Sequence, residues 1–522
     1  MWIKKDFSAP VTLDEARHME RLKNYYYFPI ESTLNRSHDP VYYILAASVA
    51  RLSGRKLLNI RMINIFWFII LLISVYSLGS YLFDKNTGLL GSVILALYPV
   101  VYGSSRLFRE EFAVMAMAPL CILFLFKSRK FEDRKYSVLF GLVCGVTIMT
   151  RYLVLIYIIG PLIFFLIRAG IGGKNKKRIR KKNIILSIIA ASAVIGIRYF
   201  NFERVRYILQ GPFIDEVQST YAMSLLEGIR VHIAGLANYQ MSLFFLVLFM
   251  ITCCFFLKRS KPEIKWPLVL WIIVPLMFFT LIPHRKIARL IIPYLPAFAL
   301  ISASGVISIK NNIKKHTIIL VIVIVGLVQY YMFSFGIGMH LNKFELDHMF
   351  GKIFYINNDY DDLNAACYKP AGKIFYNNIY SYLSQTIAGR LLLILPVSQD
   401  VMFNNTWSLL FWLNDTPFTY VILENYDNFI PELKENIKKA EFILVGEADY
   451  NKGFSNYLDE QMEIKKSAIA VSQKKEEIDE FINFLENEYK IFKKEILEDL
   501  NNFKVINKMK AKGGNIVYLM QK

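Results

Sequence analysis

"LFGLVCGVTIMTRYLVLIYIIG" (139–160) is apolar on both sides of the pair Thr150-Arg151. Read as one long bent helix, it crosses a membrane once. Read as two helices around a turn, it crosses twice, and every loop after it changes sides. Working outward, apolar runs at about 60–83, 88–104, 112–126, 136–149, 152–168, 184–199, 241–257, 266–282, 290–309 and 317–336 read as spans. Four loops between them are basic: "KSRKFEDRK" (127–135), "GKNKKRIRKK" (173–182), "KRSKPEIK" (258–265) and "KNNIKKH" (310–316). With a turn at Thr150-Arg151 all four fall on one side, which the positive-inside rule makes the cytoplasm. Without the turn they do not. The sequence therefore predicts about ten transmembrane helices.

Composition agrees. Of 522 residues 55% are hydrophobic, against about 45–50% in soluble domains even with Gly counted. Mean hydropathy is +0.35. Several runs approach the ~20 apolar residues that a helical span needs, and none alternates as barrel strands would. The formal charge of +20 concentrates between spans and reads as a topology signal rather than a nucleic-acid footprint. Of five cysteines, Cys121, Cys144, Cys253 and Cys254 lie in apolar spans, and Cys367 lies outside them. No disulfide framework or metal-ligand spacing emerges. Residues 1–40 lack the 7–15-residue apolar core of a cleavable signal peptide.

The expected organisation is an outer loop with an acidic motif and a surface helix (1–58), a transmembrane domain (59–336) and a small soluble α/β domain (337–522). In that last part "LLLIL" (391–395), "YVILE" (420–424) and "FILVG" (442–446) read as buried strands separated by helices such as "PELKENIKKA" (431–440), the pattern of a parallel sheet. Apolar residues from Ile478 to Ile496 recur at helical spacing. "FKVINKMKAKGGNIVYLM" (503–520) reads as a closing hairpin around Gly-Gly.

The outer face collects the chemistry. In "TLDEARHMERL" (12–22), Thr12 and Glu15 form a capping box and Asp14 suits the helix dipole. The same pair could equally serve as a catalytic carboxylate held in place by its cap. "SHDPVYYILAASVARLSG" (37–54) is too short to cross and reads as a surface helix with Tyr42 and Tyr43 at headgroup level; His38 and Asp39 precede Pro40 at its start. In "SSRLFREEFAVM" (104–115), snorkelling accounts for Arg106 and Arg109. It does not account for Glu110 and Glu111 at the start of an apolar helix. Arg151, His284, Arg285, Lys286 and Arg289 sit at outer ends of spans. Together they offer the donors a phosphate needs. Carboxylates facing cations suit a lipid-linked phosphate bearing a transferable group.

These segments resemble the C-type membrane glycosyltransferases, in particular the protein-mannosyltransferase and aminoarabinose-transferase branch. The resemblance covers about residues 10–310. "DEARHMERL" (14–22) is similar to the acidic motif of the family's first outer loop. "SHDPVYYILAASVARLSGRKLLNIRMINIFWF" (37–68) resembles its surface helix and following span. "GLLGSVILALYPVVYGSSRLFREEF" (88–112) resembles the next hairpin, "GVTIMTRY" (145–152) its Thr-Arg turn, and "RLIIPYLPAFAL" (289–300) its late Arg-x-x-x-Pro motif.

The resemblance implies transfer of a sugar from a polyprenyl-phosphate donor to an extracytoplasmic acceptor, with inversion. It implies Asp14 as the catalytic or acceptor-orienting carboxylate, with Glu15 beside it and Glu111 as the second acidic position. It also points to His38, Arg151 and Arg289 as substrate contacts, and Arg106, His284 and Arg285 join them as candidates by their place at outer ends of spans. Membrane lipids and the donor are the expected partners. Asp14 and Glu111 are of the oxygen type that suits Mg²⁺ or Mn²⁺, but no ligand set is legible. Two features depart from the family pattern: Asp39 lies within the usual His-Pro pair, and only 13 residues precede Asp14, where the family places a transmembrane helix. Two other readings stand beside the enzyme: an inactive assembly subunit of the same fold, and a transporter of lipid-linked substrates, which should carry broken helices and charges deep in its spans.

Overall fold

The computed structural model describes residues 13–35, 40–199, 225–281 and 292–335, together with Lys439 and the strands named below. The chain divides into two compact units, Met1–Ser8 with Arg21–Tyr368 and Ala9–Glu20 with Lys369–Lys522. The first unit is helical. Near its start lie α1 (Leu13–Tyr27, whose first residues belong to the second unit), α2 (Pro29–Asn35), α3 (Pro40–Ser53) and α4 (Leu57–Arg61). The apolar helices follow: α5 (Ile63–Leu82), α6 (Lys85–Ala96), α7 (Pro99–Ser104), α8 (Glu110–Lys127), α9 (Arg134–Ile148), α10 (Val154–Ala169) and α11 (Lys174–Tyr199). Then come α12 (Leu225–Gly235, running into a π turn at Leu236–Gln240), α13 (Leu243–Arg259), α14 (Pro262–Leu281), α15 (Leu295–Ile307) and α16 (Asn312–Phe335).

Helix occupies each of the ten apolar stretches, because a backbone out of water must satisfy its own hydrogen bonds. By length and composition alone, Leu57–Leu82, Pro262–Leu281 and Asn312–Tyr331 qualify as membrane-crossing among the described residues, and Val154–Ala169 and Ile292–Ile307 are shorter apolar helices. Local signals set the ends. Asp84 caps α6 by accepting from the Thr87 amide at 2.9 Å, and Asp133 caps α9 by accepting from the Tyr136 amide at 3.1 Å; this is N-cap chemistry. The turn at Thr150-Arg151 is real: α9 ends at Ile148 and α10 begins at Val154. One expected span is different. The run 88–104 is two helices, since Pro99 lacks an amide to continue α6 and instead opens α7 at its first position.

Helix α9 packs on α11, α5 on α6 and α8, α15 on α6 and α13, and α10 on α14. The α9–α11 contact is backbone-close at two small residues. A Cβ at Gly141 would overlap the Ser187 carbonyl, and one at Gly145 would meet Val194 Cβ at 2.9 Å. Substituting Gly141 by Ala should therefore destabilise the protein by about 1–3 kcal/mol, the usual cost of overpacking. Thermal unfolding in detergent checks this; an unchanged midpoint would show that the pair can separate freely.

A short antiparallel pair, β1 (Asp347–His348) with β2 (Gly351–Lys352), also belongs to the first unit. The second unit carries a five-stranded sheet of β3 (Leu391–Leu395), β4 (Thr419–Ile422), β5 (Phe442–Gly446), β6 (Lys504–Lys510) and β7 (Ile516–Gln521), in the order β4-β3-β5-β7-β6. The pairings of β3 with β4 and β5 are parallel. Those of β5 with β7 and of β7 with β6 are antiparallel, so the sheet is mixed and 504–521 forms a hairpin at its edge. The expected helices over 431–440 and 478–496 lie outside the described residues, apart from Lys439, which is helical.

Candidate active site

The best-defined polar cluster lies where α8 begins and α9 gives way to α10. Arg109 is the N-cap residue of α8, so Glu110 and Glu111 occupy its first turn, where the helix dipole favours negative charge. Arg151, in the turn after α9, meets both. Its Nη1 is 2.7 Å from Glu111 Oε1 and 3.3 Å from Glu110 Oε1. The three side chains are only 17%, 12% and 10% exposed, so the pairing works with little solvent screening.

The cluster extends through the surface helix. Tyr43 of α3 donates to Glu110 Oε2 at 3.2 Å, and its phenol oxygen accepts from Arg21 Nη1 of α1 at 3.4 Å. Burial pushes the Tyr43 phenol well above its ordinary value and the Glu110 charge pushes the same way, against Arg21, so Tyr43 stays protonated as a donor. The result is an ordered chain of alternating partners: Arg21, Tyr43, Glu110, Arg151, Glu111. Two cations face two carboxylates, and a neutral hydroxyl sits between.

Packing holds these groups in place. Tyr43 stacks on Tyr25 at 5.4 Å between centroids and lies edge-on to Phe108 at 6.3 Å. Tyr42 lies 4.9 Å from Phe108 and donates to Asn64 Oδ1 at 3.1 Å; Asn64 in turn donates to the Leu107 carbonyl. The Val41 amide donates to the Met149 carbonyl at 3.0 Å, which ties the start of α3 to the end of α9. Tyr42 and Tyr43, expected at headgroup level, have their rings packed inside the protein. Both are fully buried, because α3 turns them inward onto Phe108 and Trp67.

Replacing Tyr43 by Phe removes a donor to a buried charged group, which should cost about 1.5–3 kcal/mol. Tyr42→Phe loses only a neutral bond and should cost about 0.5–1.5 kcal/mol. Paired thermal unfolding curves check the order; equal losses would mean that Glu110 does not depend on Tyr43.

Arg106, between α7 and α8, is buried. Its guanidinium lies over the rings of Tyr102 at 5.7 Å and Tyr330 at 5.4 Å, within cation–π range. Helix α1 begins at Leu13, directly after the expected cap Thr12, and Glu15 is fully buried. The backbone of Asp14 lies in the first turn of that helix; its side chain lies outside the described residues, as do His38, His284, Arg285, Lys286 and Arg289. Arg151, one of the cations expected to bind phosphate, pairs with Glu110 and Glu111 in this structure. Among the described residues no group of three His, Cys, Asp or Glu side chains is placed to hold a metal ion.

Sequence reading singled out Glu111 and Arg151 but not Glu110, Tyr43 or Arg21 as site residues. One signal was present: Arg21 follows Asp14 by two helical turns, which puts both on one face of α1.

Residues 37–197, from the start of α3 almost to the end of α11, match the family described as dolichyl-phosphate-mannose-protein mannosyltransferase. The crystal structure of ArnT from Cupriavidus metallidurans bound to undecaprenyl phosphate superposes with a TM-score of 0.63 at 10% identity, covering 99% of this chain and 95% of that one. The chain has the ArnT fold over nearly its whole length. The apo state of the same ArnT gives a TM-score of 0.58 at 11% identity, covering 97% of this chain and 93% of that one. Among curated protein sequences none matches. The matched range spans four of the five members of the cluster, Tyr43, Glu110, Glu111 and Arg151.

Proposed function

We propose that the protein transfers a sugar from a polyprenyl-phosphate donor to an acceptor outside the cytoplasm, with inversion at the anomeric carbon. The observation that carries this reading is the whole-length C-type fold with ionised groups at helix ends rather than within apolar spans. ArnT with that fold has been solved with undecaprenyl phosphate bound, and an anionic lipid of this kind suits the cations of 284–289. In this reading the apolar helices make about ten crossings. The basic loops face the cytoplasm. Residues 1–58 and the α/β domain of 337–522 face outward.

Asp14 takes a proton from the acceptor hydroxyl or orients it, and Glu15 closes the cap that fixes the helix start. The leaving polyprenyl phosphate needs cationic stabilisation and no protonation, so one base suffices, unlike a hydrolase with its protonated second carboxyl. His284, Arg285 and Arg289 supply the phosphate contacts, with His38 and Arg106 as further substrate contacts. Arg151, paired with Glu110 and Glu111, orders those carboxylates and is a further candidate for the donor phosphate. A divalent cation on the Asp14 carboxylate remains compatible with this scheme, and activity across a chelator titration tests it.

Arg289 is the leading phosphate ligand. Arg289→Lys keeps charge but loses the bidentate fork, and Arg289→Met loses both. Donor affinity should fall in the order wild type, Lys, Met, and binding of free polyprenyl phosphate should fall in parallel. A headgroup anchor would instead tolerate Lys almost fully and show any Met defect in membrane level. Unchanged donor affinity in Arg289→Met would move the assignment to Arg151 or Arg285.

The proposed activity itself is tested by incubating purified protein with labelled polyprenyl-phosphate sugar and following release of free polyprenyl phosphate. An enzyme releases it in an acceptor-dependent manner. A transporter or an inactive subunit leaves the donor intact, and that outcome would overturn the reading.

A further inference from the structure

The opposite charge pattern appears at the far end of α9 and α11. There the loop before α9 and the first turns of α11 are held together by Arg180. Its Nη2 lies 2.5 Å from Glu132 Oε1, and its Nη1 donates to the Ala169 carbonyl at 3.1 Å. Asn183, one turn on, donates to the Phe131 carbonyl at 2.8 Å and to the Glu132 carbonyl at 3.1 Å. The two basic segments of the sequence, 127–135 and 174–182, thus form one continuous surface.

Both acidic residues of that surface are committed internally. Asp133 caps α9, and Arg180 holds the Glu132 carboxyl below its ordinary value. What remains is positive and exposed: Arg129, Lys174, Lys177, Arg178, Lys181 and Lys182.

That arrangement is electrostatically unfavourable in isolation. The N-terminus of a helix is itself positive and favours anions. Yet α11 has no acidic residue in its first turn and carries a run of cations there. Repulsion among the cations adds to the cost. A layer of anions over the surface would relieve both. Apolar groups sit among the charges: Ile171 and Ile179 are 58% and 52% exposed. Lysines interleaved with exposed isoleucines match the boundary between phosphate headgroups and acyl chains, where basic side chains reach the charge and apolar ones enter the hydrocarbon.

We propose that this surface is a binding site for anionic diacyl phospholipids of the adjoining leaflet. The phosphates sit against the first turns of α11 and the acyl chains against Ile171 and Ile179. Helix-directing topology alone would require the positive charge; it would not require the exposed isoleucines or the internal neutralisation of Glu132 and Asp133. The inference rests on the chain being embedded in a membrane and not on the proposed sugar transfer.

The test uses full-length protein in nanodiscs of phosphatidylcholine containing a minority of phosphatidylglycerol, where both leaflets are alike and cellular topology plays no part. Native mass spectrometry reads which lipids remain bound. Wild type should retain phosphatidylglycerol well above its bulk fraction, and raising salt from about 0.15 M to 1 M should erase most of the preference. The variant K177Q/R178Q/K181Q/K182Q should lose about tenfold or more of the preference, since each basic side chain near the surface contributes separately. The charge-keeping variant K177R/K181R/K182R should retain it, which separates loss of charge from loss of fold. No preference in wild type would overturn the proposal, and so would full preference in the glutamine variant.

Discussion

Asp14→Asn should lower turnover by about 10²–10⁴-fold, the range expected when a general base is removed, at unchanged membrane level. The size of the effect follows from the chemistry of the donor. In the proposed reaction polyprenyl phosphate departs without a proton, so no second acid shares the work and activation of the acceptor falls on one carboxylate. The level should hold because Asn is nearly isosteric and is well tolerated near a helix start. Glu15→Gln should cost less in turnover, because Gln still closes a capping box with Thr12. The comparison discriminates sharply. If Asp14 only serves the helix, the two substitutions will behave alike and turnover in Asp14→Asn will match wild type. If it is the base, only the first will fail, and the failure will not track with protein level.

Arg151→Met should be the most damaging change to stability, at about 3–5 kcal/mol, the cost of breaking a buried ion pair on one side. Its guanidinium lies within 3.3 Å of two carboxylates that are each little exposed. Without it Glu110 and Glu111 face each other in the first turn of α8 with no compensating charge from this residue. Recovery should follow from removing the stranded charge. Glu111→Gln in the Arg151→Met background should restore part of the loss, because Glu111 is the closer partner at 2.7 Å. A double-mutant cycle of unfolding in detergent measures the coupling. Additive losses would contradict the pairing. The same variants also probe the site: if Arg151 bound the donor phosphate instead, stability would hold and donor affinity would fall.

The legible part of the fold came from the apolar runs and the basic loops between them. The loss of backbone solvation in a bilayer makes every long apolar run a helix. The turn at Thr150-Arg151, which the pattern of basic loops needs, lies between α9 and α10. The short runs 391–395, 420–424 and 442–446 were equally readable, since strands of this kind need little more than length and flanking polarity. The break at Pro99 was readable in principle, because a proline cannot continue α6, but hydropathy alone runs straight through it.

The site was less legible for a physical reason. Tyr43, Glu110 and Arg21 are far apart in sequence, and hydropathy cannot distinguish a tyrosine at the headgroups from one turned inward onto Phe108. Arg151 was visible as a cation, but its partners could be assigned only from the packing of α8 against the turn. Resemblance to the family supplied Asp14, which composition and spacing left open between a cap and a base.

The most direct test of the account is the anomeric configuration of the first product formed by purified protein from a polyprenyl-phosphate sugar of known configuration, read by NMR before any epimerisation. A single displacement at the anomeric carbon, driven by one base and a phosphate leaving group, predicts a product of inverted configuration. A product of retained configuration would require double displacement or front-face attack and would contradict the account, as would a donor that is bound but never cleaved.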